Sequence, residues 1–210
     1  MRLYVLALTD TPLDDLAVGE RQVHAELIDG VHAVCEKRST PPDPSDAELR
    51  AQHAMVLEIA SRVRAILPVR FGSLLTKAEL RRAIREHRAE IEAAFDLVRD
   101  RVQMTIRVTG RRRSPAALPA PSTGRAYLAR KQEQLSPPLP APALALLKHL
   151  APFAAAERRE PGAGALLATI YHLVDTSDVL RYAALARKAP RSIVITGPWP
   201  PFAFTPSLVA

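Results

Sequence analysis

The sequence predicts an α+β chain of two small domains, the first a mixed sheet with two long helices, followed by a C-terminal tail rich in proline and aromatic residues. Three observations carry this. Alternating strand-like segments joined by a turn dipeptide stand beside helical stripes opened by capping boxes. A basic stretch rich in proline and alanine divides the chain near its middle, and prolines crowd the aromatics of residues 197–210.

Leu3-Tyr4-Val5-Leu6-Ala7-Leu8 is apolar at both parities, as expected of a central strand buried on both faces. Val23–Ile28 and Val31–Glu36 alternate around Asp29-Gly30, a dipeptide suited to a two-residue type I′ turn, so they read as a hairpin. Val23, Ala25 and Leu27 share one face of it, as do Val31, Ala33 and Cys35, which makes Cys35 small core filler rather than a nucleophile. Ser45-Asp46-Ala47-Glu48 has the spacing of a capping box. It opens a helix to about Ala65, in which Leu49, His53, Val56, Ala60 and Val63 form one buried stripe. Ile66 to Gly72 reads as a strand at an edge or carrying a bulge, because Pro68 and Gly72 interrupt it.

Thr76-Lys77-Ala78-Glu79 is a second capping box, and Leu80, Ile84, His87, Ile91, Phe95 and Val98 keep helical spacing after it. Arg81, Arg82, Arg85 and Arg88 alternate with Glu86, Glu90 and Glu92 on the opposite side. Arg101 to Val108 alternates strictly, with Val102, Met104, Ile106 and Val108 inward, and is expected to end the first domain, residues 1–110. Residues 111–123 read as a semi-rigid linker. The second domain, 124–196, is expected to hold a short helix at Arg125–Gln134, a helical pattern at Ala143–Leu150 and a polar loop at Glu157–Gly164. A strand at Ala165–Val174, a helix at Asp175–Lys188 capped by Thr176 or Ser177, and a closing strand at Ile193–Ile195 follow. Prolines keep the tail from being helix and discourage sheet pairing.

The composition narrows function. With 210 residues, 48% hydrophobic and 24% charged, the chain is of globular, soluble type. The apolar stretch 141–156 is broken by Pro142, Lys148, His149 and Pro152, so no membrane-spanning helix and no lipid-membrane partner are expected. Leu3 to Leu8 is too short for a secretory leader, and a single cysteine fits a reducing compartment, so the reading is cytoplasmic. The net charge of +7 is uneven: residues 1–60 hold 5 basic and 11 acidic side chains, and 61–135 hold 17 and 7. Arg111-Arg112-Arg113 could meet phosphates, but residues 96–126 contain no aromatic for base stacking, so nucleic acid is not an expected partner.

No phosphate-binding glycine loop, GxSxG elbow or HExxH spacing occurs, so no catalytic residue, cofactor or metal is assigned. His53 and His87 lie on apolar helix faces and read as hydrogen-bonded core histidines. The tail is the strongest single feature: Trp199, Phe202 and Phe204 are three of ten aromatics, in a segment too short to bury them itself. They are expected either to fold back into a groove between the domains or to form an exposed anchor for a partner.

Two motifs agree on a family. Leu67-Pro68-Val69-Arg70-Phe71-Gly72, between the two capped helices, resembles the LPVRFG stretch of the gas vesicle protein F/L family. Gly197-Pro198-Trp199-Pro200-Pro201-Phe202 is similar to that family's GPWPPY segment, with Phe202 in place of tyrosine. The Gly30 hairpin, Gly124-Arg125-Ala126-Tyr127-Leu128 and Tyr171-His172-Leu173-Val174-Asp175 match in order and spacing. Ser136 to Pro142 departs from the pattern by shortening or breaking a charged helix that family members usually have.

The resemblance implies a non-enzymatic accessory protein of gas vesicles, with a ferredoxin-like second domain and a tail packed back over the molecule. Implied partners are the major hydrophobic shell protein and other gas vesicle accessory proteins. The implied location is the gas vesicle, with a cytoplasmic pool during assembly. On this reading Leu67, Arg70 and Phe71, with Arg81 and Arg88 on the neighbouring surface, are candidates for partner binding, and Trp199, Phe202 and Phe204 for partner binding or tail docking. Arg70 is expected to pair with a carboxylate, inside the fold or on the partner. The alternative is a small-ligand-binding regulatory module, which a metabolite-induced rise in melting temperature would favour.

Overall fold

Leu3 to Leu8 are each at most 7% exposed, and the strand they form, β1 (Arg2–Thr9), lies inside a six-stranded sheet. The computed structural model describes residues 2–18, 21–111 and 139–207, in two compact units: 1–102 with 199–210, and 103–198.

In the first unit β2 (Leu16–Val18), β3 (Arg21–Ile28) and β4 (Val31–Arg38) extend the sheet on one side of β1. On the other side β5 (Ile66–Pro68) and β6 (Leu74–Leu75) pair with successive stretches of β1. The hairpin register pairs Ile28 with Val31, with Asp29 at φ 49° and Gly30 at φ 84°. Two positive φ values in succession define the type I′ turn that the dipeptide foretold. Cys35 is buried, and burial pushes its thiol up to about 12, so it is inert packing.

Every pairing resolved in this sheet is antiparallel, which corrects the expected mixed sheet. Helix α1 (Asp46–Ala60) connects β4 to β5, two strands that run in parallel, but β1 lies between them and pairs antiparallel with both. The capping box at Ser45 contributes its serine, which accepts from the Glu48 amide. The helix stops at Ala60 rather than Ala65. Beyond it the Arg64 carbonyl accepts from the Asp100 amide, and Ala65 exchanges hydrogen bonds with Asp10. The expected stripe is also rotated: the core face is Gln52, Met55, Val56 and Ile59, while Leu49 is exposed and His53 half-buried.

The strand expected over 66–72 ends at Pro68, and a turn precedes β6. The single long helix expected after Thr76 is two, α2 (Lys77–Glu86) and α3 (Arg88–Val98), parted at His87, whose ψ of 19° leaves the helical range. Both halves bury their predicted apolar residues, Leu80, Ile84, Ile91, Phe95 and Val98. Thr76 and Glu79 close a full capping box.

Strand β7 (Arg101–Thr109), expected to end the first domain, instead hydrogen-bonds into the sheet of the second unit, and the units part between Val102 and Gln103. Gln103 and Thr105 on its supposed solvent face are buried as well and hydrogen-bond to each other at 3.1 Å. The second unit continues with α4 (Ala141–Leu150), β8 (Ala154–Pro161), β9 (Leu166–Asp175), α5 (Val179–Ala186) and β10 (Ile193–Trp199). Spatial order is β10-β7-β9-β8, the 4-1-3-2 arrangement of a ferredoxin-like β-α-β-β-α-β fold. Its core joins Ile106, Leu147, Leu150, Ile170, Val174 and Tyr182.

Two segments there correct the sequence reading. The polar loop expected from Glu157 is the edge strand β8, whose exposed Glu157, Arg158, Arg159 and Glu160 supply the charge that keeps an edge from pairing with another chain. The closing strand runs on through Pro198 to Trp199, which is possible because β10 is the other edge and proline there forfeits no ladder bond. The expected linker from Arg112 onward, the Arg125–Gln134 helix and the Gly124–Leu128 match lie outside the described residues.

Candidate functional site

The first unit brings three sequence-selected segments to one groove of about 450 Å³. Helix α1 supplies Leu49, Gln52, His53 and Val56, the turn after β5 supplies Val69, Arg70 and Phe71, and the tail supplies Phe202 and Thr205–Ser207. Tyr4 fixes the turn from below. Its hydroxyl, which burial keeps protonated, donates to Gln52 Oε1 and accepts from the Gly72 amide at 3.4 Å. Gln52 Nε2 reaches the Val69 carbonyl at 3.5 Å, and Phe71 meets the Tyr4 ring edge-on with centroids 6.4 Å apart. The guanidinium of Arg38 lies over the same ring, 5.2 Å from its centroid.

The tail is held by aromatic contacts. The ring of His53 lies 5.4 Å from Trp199 and stacks on Phe202 at 6.0 Å with 21° between planes. Phe204 is buried in a short 3-10 turn (Phe202–Phe204), and Pro200 and Pro201 are buried beside it. Phe202 remains 41% exposed and Leu49 44% exposed, so apolar surface persists at the groove. His53, read from the sequence as a core histidine, is therefore a tail-docking residue. An apolar stripe on α1 distinct from its core face was the available signal.

The other candidates lie elsewhere. Leu67 is fully buried in β5 and has no surface to offer a partner. Arg81 and Arg88 belong to a cluster around the hairpin turn. There Arg85 Nε donates to Asp29 Oδ2 at 2.6 Å, Arg88 Nη1 donates to the Asp29 carbonyl at 2.7 Å, and Arg81 stands 3.9 Å from Asp29 Oδ1. Arg88 also pairs with Glu92. These arginines pin the hairpin to α2 and α3.

A larger groove of about 770 Å³ collects Arg21, His24, Lys37 and Arg38 with Asp15 and Glu36. Glu36 there accepts from Arg21 at 2.6 Å and Arg38 at 2.7 Å, and Glu48 lies within 4 Å of both, while Arg21 Nη2 is buried with no hydrogen-bond partner among the described residues. It takes residues from the hairpin strands but none from the Leu67–Gly72 or Gly197–Phe202 motifs. The smaller groove, where both of those motif segments meet α1, is the stronger candidate.

Two constellations resemble catalytic ones and are sealed. Cys35 and His24 approach at 3.7 Å, but the raised thiol pKa rules out a thiolate nucleophile at neutral pH. In the second unit Glu157 Oε2 lies 3.0 Å from His172 Nε2, and Tyr182 Oη lies 2.9 Å from Nδ1. A carboxylate only accepts, so Nε2 carries the proton and Nδ1 accepts from the tyrosine. His172 is fully buried with both ring nitrogens occupied. Desolvation holds its pKa below 6.5, against the opposing pull of Glu157.

Below that ordinary value the unfolded chain takes up a proton that folded His172 resists. The second unit is therefore expected to lose stability as pH falls through 6.5. Urea unfolding from pH 7.5 downward checks this: His172→Gln should lack that component of the slope, and an unchanged slope would contradict it.

Among the described residues no group of three or more metal-binding side chains occurs, and no helix is long and apolar enough to cross a membrane. A family model described as gas vesicle synthesis protein GvpL/GvpF matches residues 2–206. Two crystal structures are similar in fold. The gas vesicle protein GvpF from Anabaena sp. PCC7120 aligns at 14% identity and TM-score 0.70, covering 98% of each chain. The GvpF from Microcystis aeruginosa aligns at 14% identity and TM-score 0.71, covering 97% of this chain and 98% of that one. No curated protein matches the sequence.

Proposed function

Because the chain belongs to the gas vesicle synthesis protein GvpL/GvpF family, whose model spans residues 2–206, we propose that it is a non-enzymatic accessory or minor structural protein of gas vesicles. It binds the hydrophobic shell protein and other gas vesicle proteins during assembly, and it resides at the gas vesicle with a cytoplasmic pool before incorporation. The family match over nearly the whole chain is the observation that carries this reading, and the likeness in fold over both units accompanies it.

A wall that faces gas presents apolar surface, which aggregates in water until it is covered. A soluble partner with half-exposed apolar side chains on a firmly packed unit provides such cover, and Leu49 and Phe202 are side chains of this kind. The sealed Cys35 and His172 support a role without catalysis. Co-expression with the major shell protein and affinity capture of this chain tests the reading. Soluble shell protein is expected in the captured fraction, and its absence while the chain is folded would contradict direct binding.

A further inference from the structure

Resting on that reading, we propose that the groove formed by α1, the Val69–Phe71 turn and the tail receives a shell-protein segment in which an apolar side chain stands beside a carboxylate, with Arg70 pairing to that carboxylate. The groove supplies an apolar floor and rim from Leu49, Val56, Phe71, Phe202 and Pro206. Arg70 is its one full charge, and no acidic residue is among those lining it.

Arg70 is also unlike its neighbours. Arg62 pairs with Glu58, Arg64 with Asp100, Arg85 with Asp29 and Arg88 with Glu92. The exposed Arg70 guanidinium pairs with no carboxylate among the described residues, and only its main-chain carbonyl is engaged, by Ser73. The internal pairing that the sequence left open is thus not made.

Its backbone is fixed nonetheless. The residue before it accepts from Gln52 through its carbonyl and donates through its amide to the Leu6 carbonyl, and Phe71 after it packs on Tyr4. A cation held at the lip of an apolar groove selects a segment with complementary charge beside its apolar anchor, and a guanidinium favours a carboxylate through paired N–H donors. Covering Leu49 and Phe202 supplies the apolar gain.

The test is capture of co-expressed shell protein by the wild type, Arg70→Glu, Arg70→Gln and Arg70→Lys. A set of shell-protein variants with each Asp or Glu singly changed to Lys is captured in parallel. Arg70→Glu is expected to capture about tenfold less and Arg70→Lys, which keeps the charge but not the paired donors, to fall between Arg70→Glu and the wild type, with thermal unfolding unchanged because the side chain is exposed. One Asp or Glu to Lys change should restore capture by Arg70→Glu. Full capture by Arg70→Glu and Arg70→Gln, or failure of every shell variant to restore it, overturns the groove proposal and leaves shell binding standing. Failure of the wild type to capture shell protein overturns both.

Discussion

Tyr4→Ala is expected to lower the unfolding free energy of the first unit by about 3–5 kcal/mol. The ring is fully buried in the central strand, against the Phe71 edge and under the Arg38 guanidinium. Removing it leaves a cavity in a close-packed sheet and strands Gln52, which is itself buried, without its donor. Tyr4→Phe keeps the volume and removes only the hydroxyl, so its cost should be about 1–3 kcal/mol. The two effects separate packing from hydrogen bonding. Urea unfolding followed by the fluorescence of Trp199, the chain's one tryptophan and part of the first unit, measures both. Equal losses in the two variants would mean that the hydroxyl, not the ring, holds the turn carrying Arg70.

Gly197→Ala is expected to destabilise the second unit by about 2–4 kcal/mol. Gly197 has φ 127°, which side chains rarely adopt, and an added Cβ would stand 2.8 Å from the Gln103 carbonyl oxygen and 3.0 Å from Met104 Sδ. The first obstacle is main chain and cannot swing aside. Gly164→Ala is the control: its φ of 62° is also left-handed, but nothing lies within 4 Å of an added Cβ, so only the conformational penalty of about 1 kcal/mol remains. Circular dichroism in urea should rank Gly197→Ala well below Gly164→Ala. Equal stabilities would remove the close approach as the reason for glycine at the start of the Gly-Pro-Trp-Pro-Pro-Phe motif.

What was legible in the sequence was mostly local. The Asp29-Gly30 turn, the Thr76 box and the apolar run of β1 each depend on neighbours within a few residues, and each has the expected form. Features fixed by distant partners were not legible. β8 carries four consecutive charged residues, Glu157 to Glu160, and its pairing with β9 makes it a strand. Proline argued against a strand through Pro198, yet an edge position tolerates it. The break at His87 interrupts a continuous helical spacing and left no mark in the apolar pattern.

The candidate site divides in the same way. Arg70, Phe71 and Phe202 were marked by the motifs, whereas Leu49 and His53 were assigned to the core. Helix α1 carries two apolar stripes, and sequence alone does not say which meets the sheet and which meets the tail. No sequence motif marks Gln52, yet it is the buried link between Tyr4 and the turn that carries Arg70.

The proposed function has this chain keep an apolar shell protein in solution by binding it. The most direct measurement dilutes denatured shell protein into buffer with increasing amounts of the folded chain and determines the shell protein left in the supernatant after centrifugation. Soluble shell protein is expected to rise with added chain to a fixed molar ratio, and the two proteins are then expected to co-elute in size-exclusion chromatography. If the same amount of shell protein sediments whether or not the chain is present, the claim is contradicted.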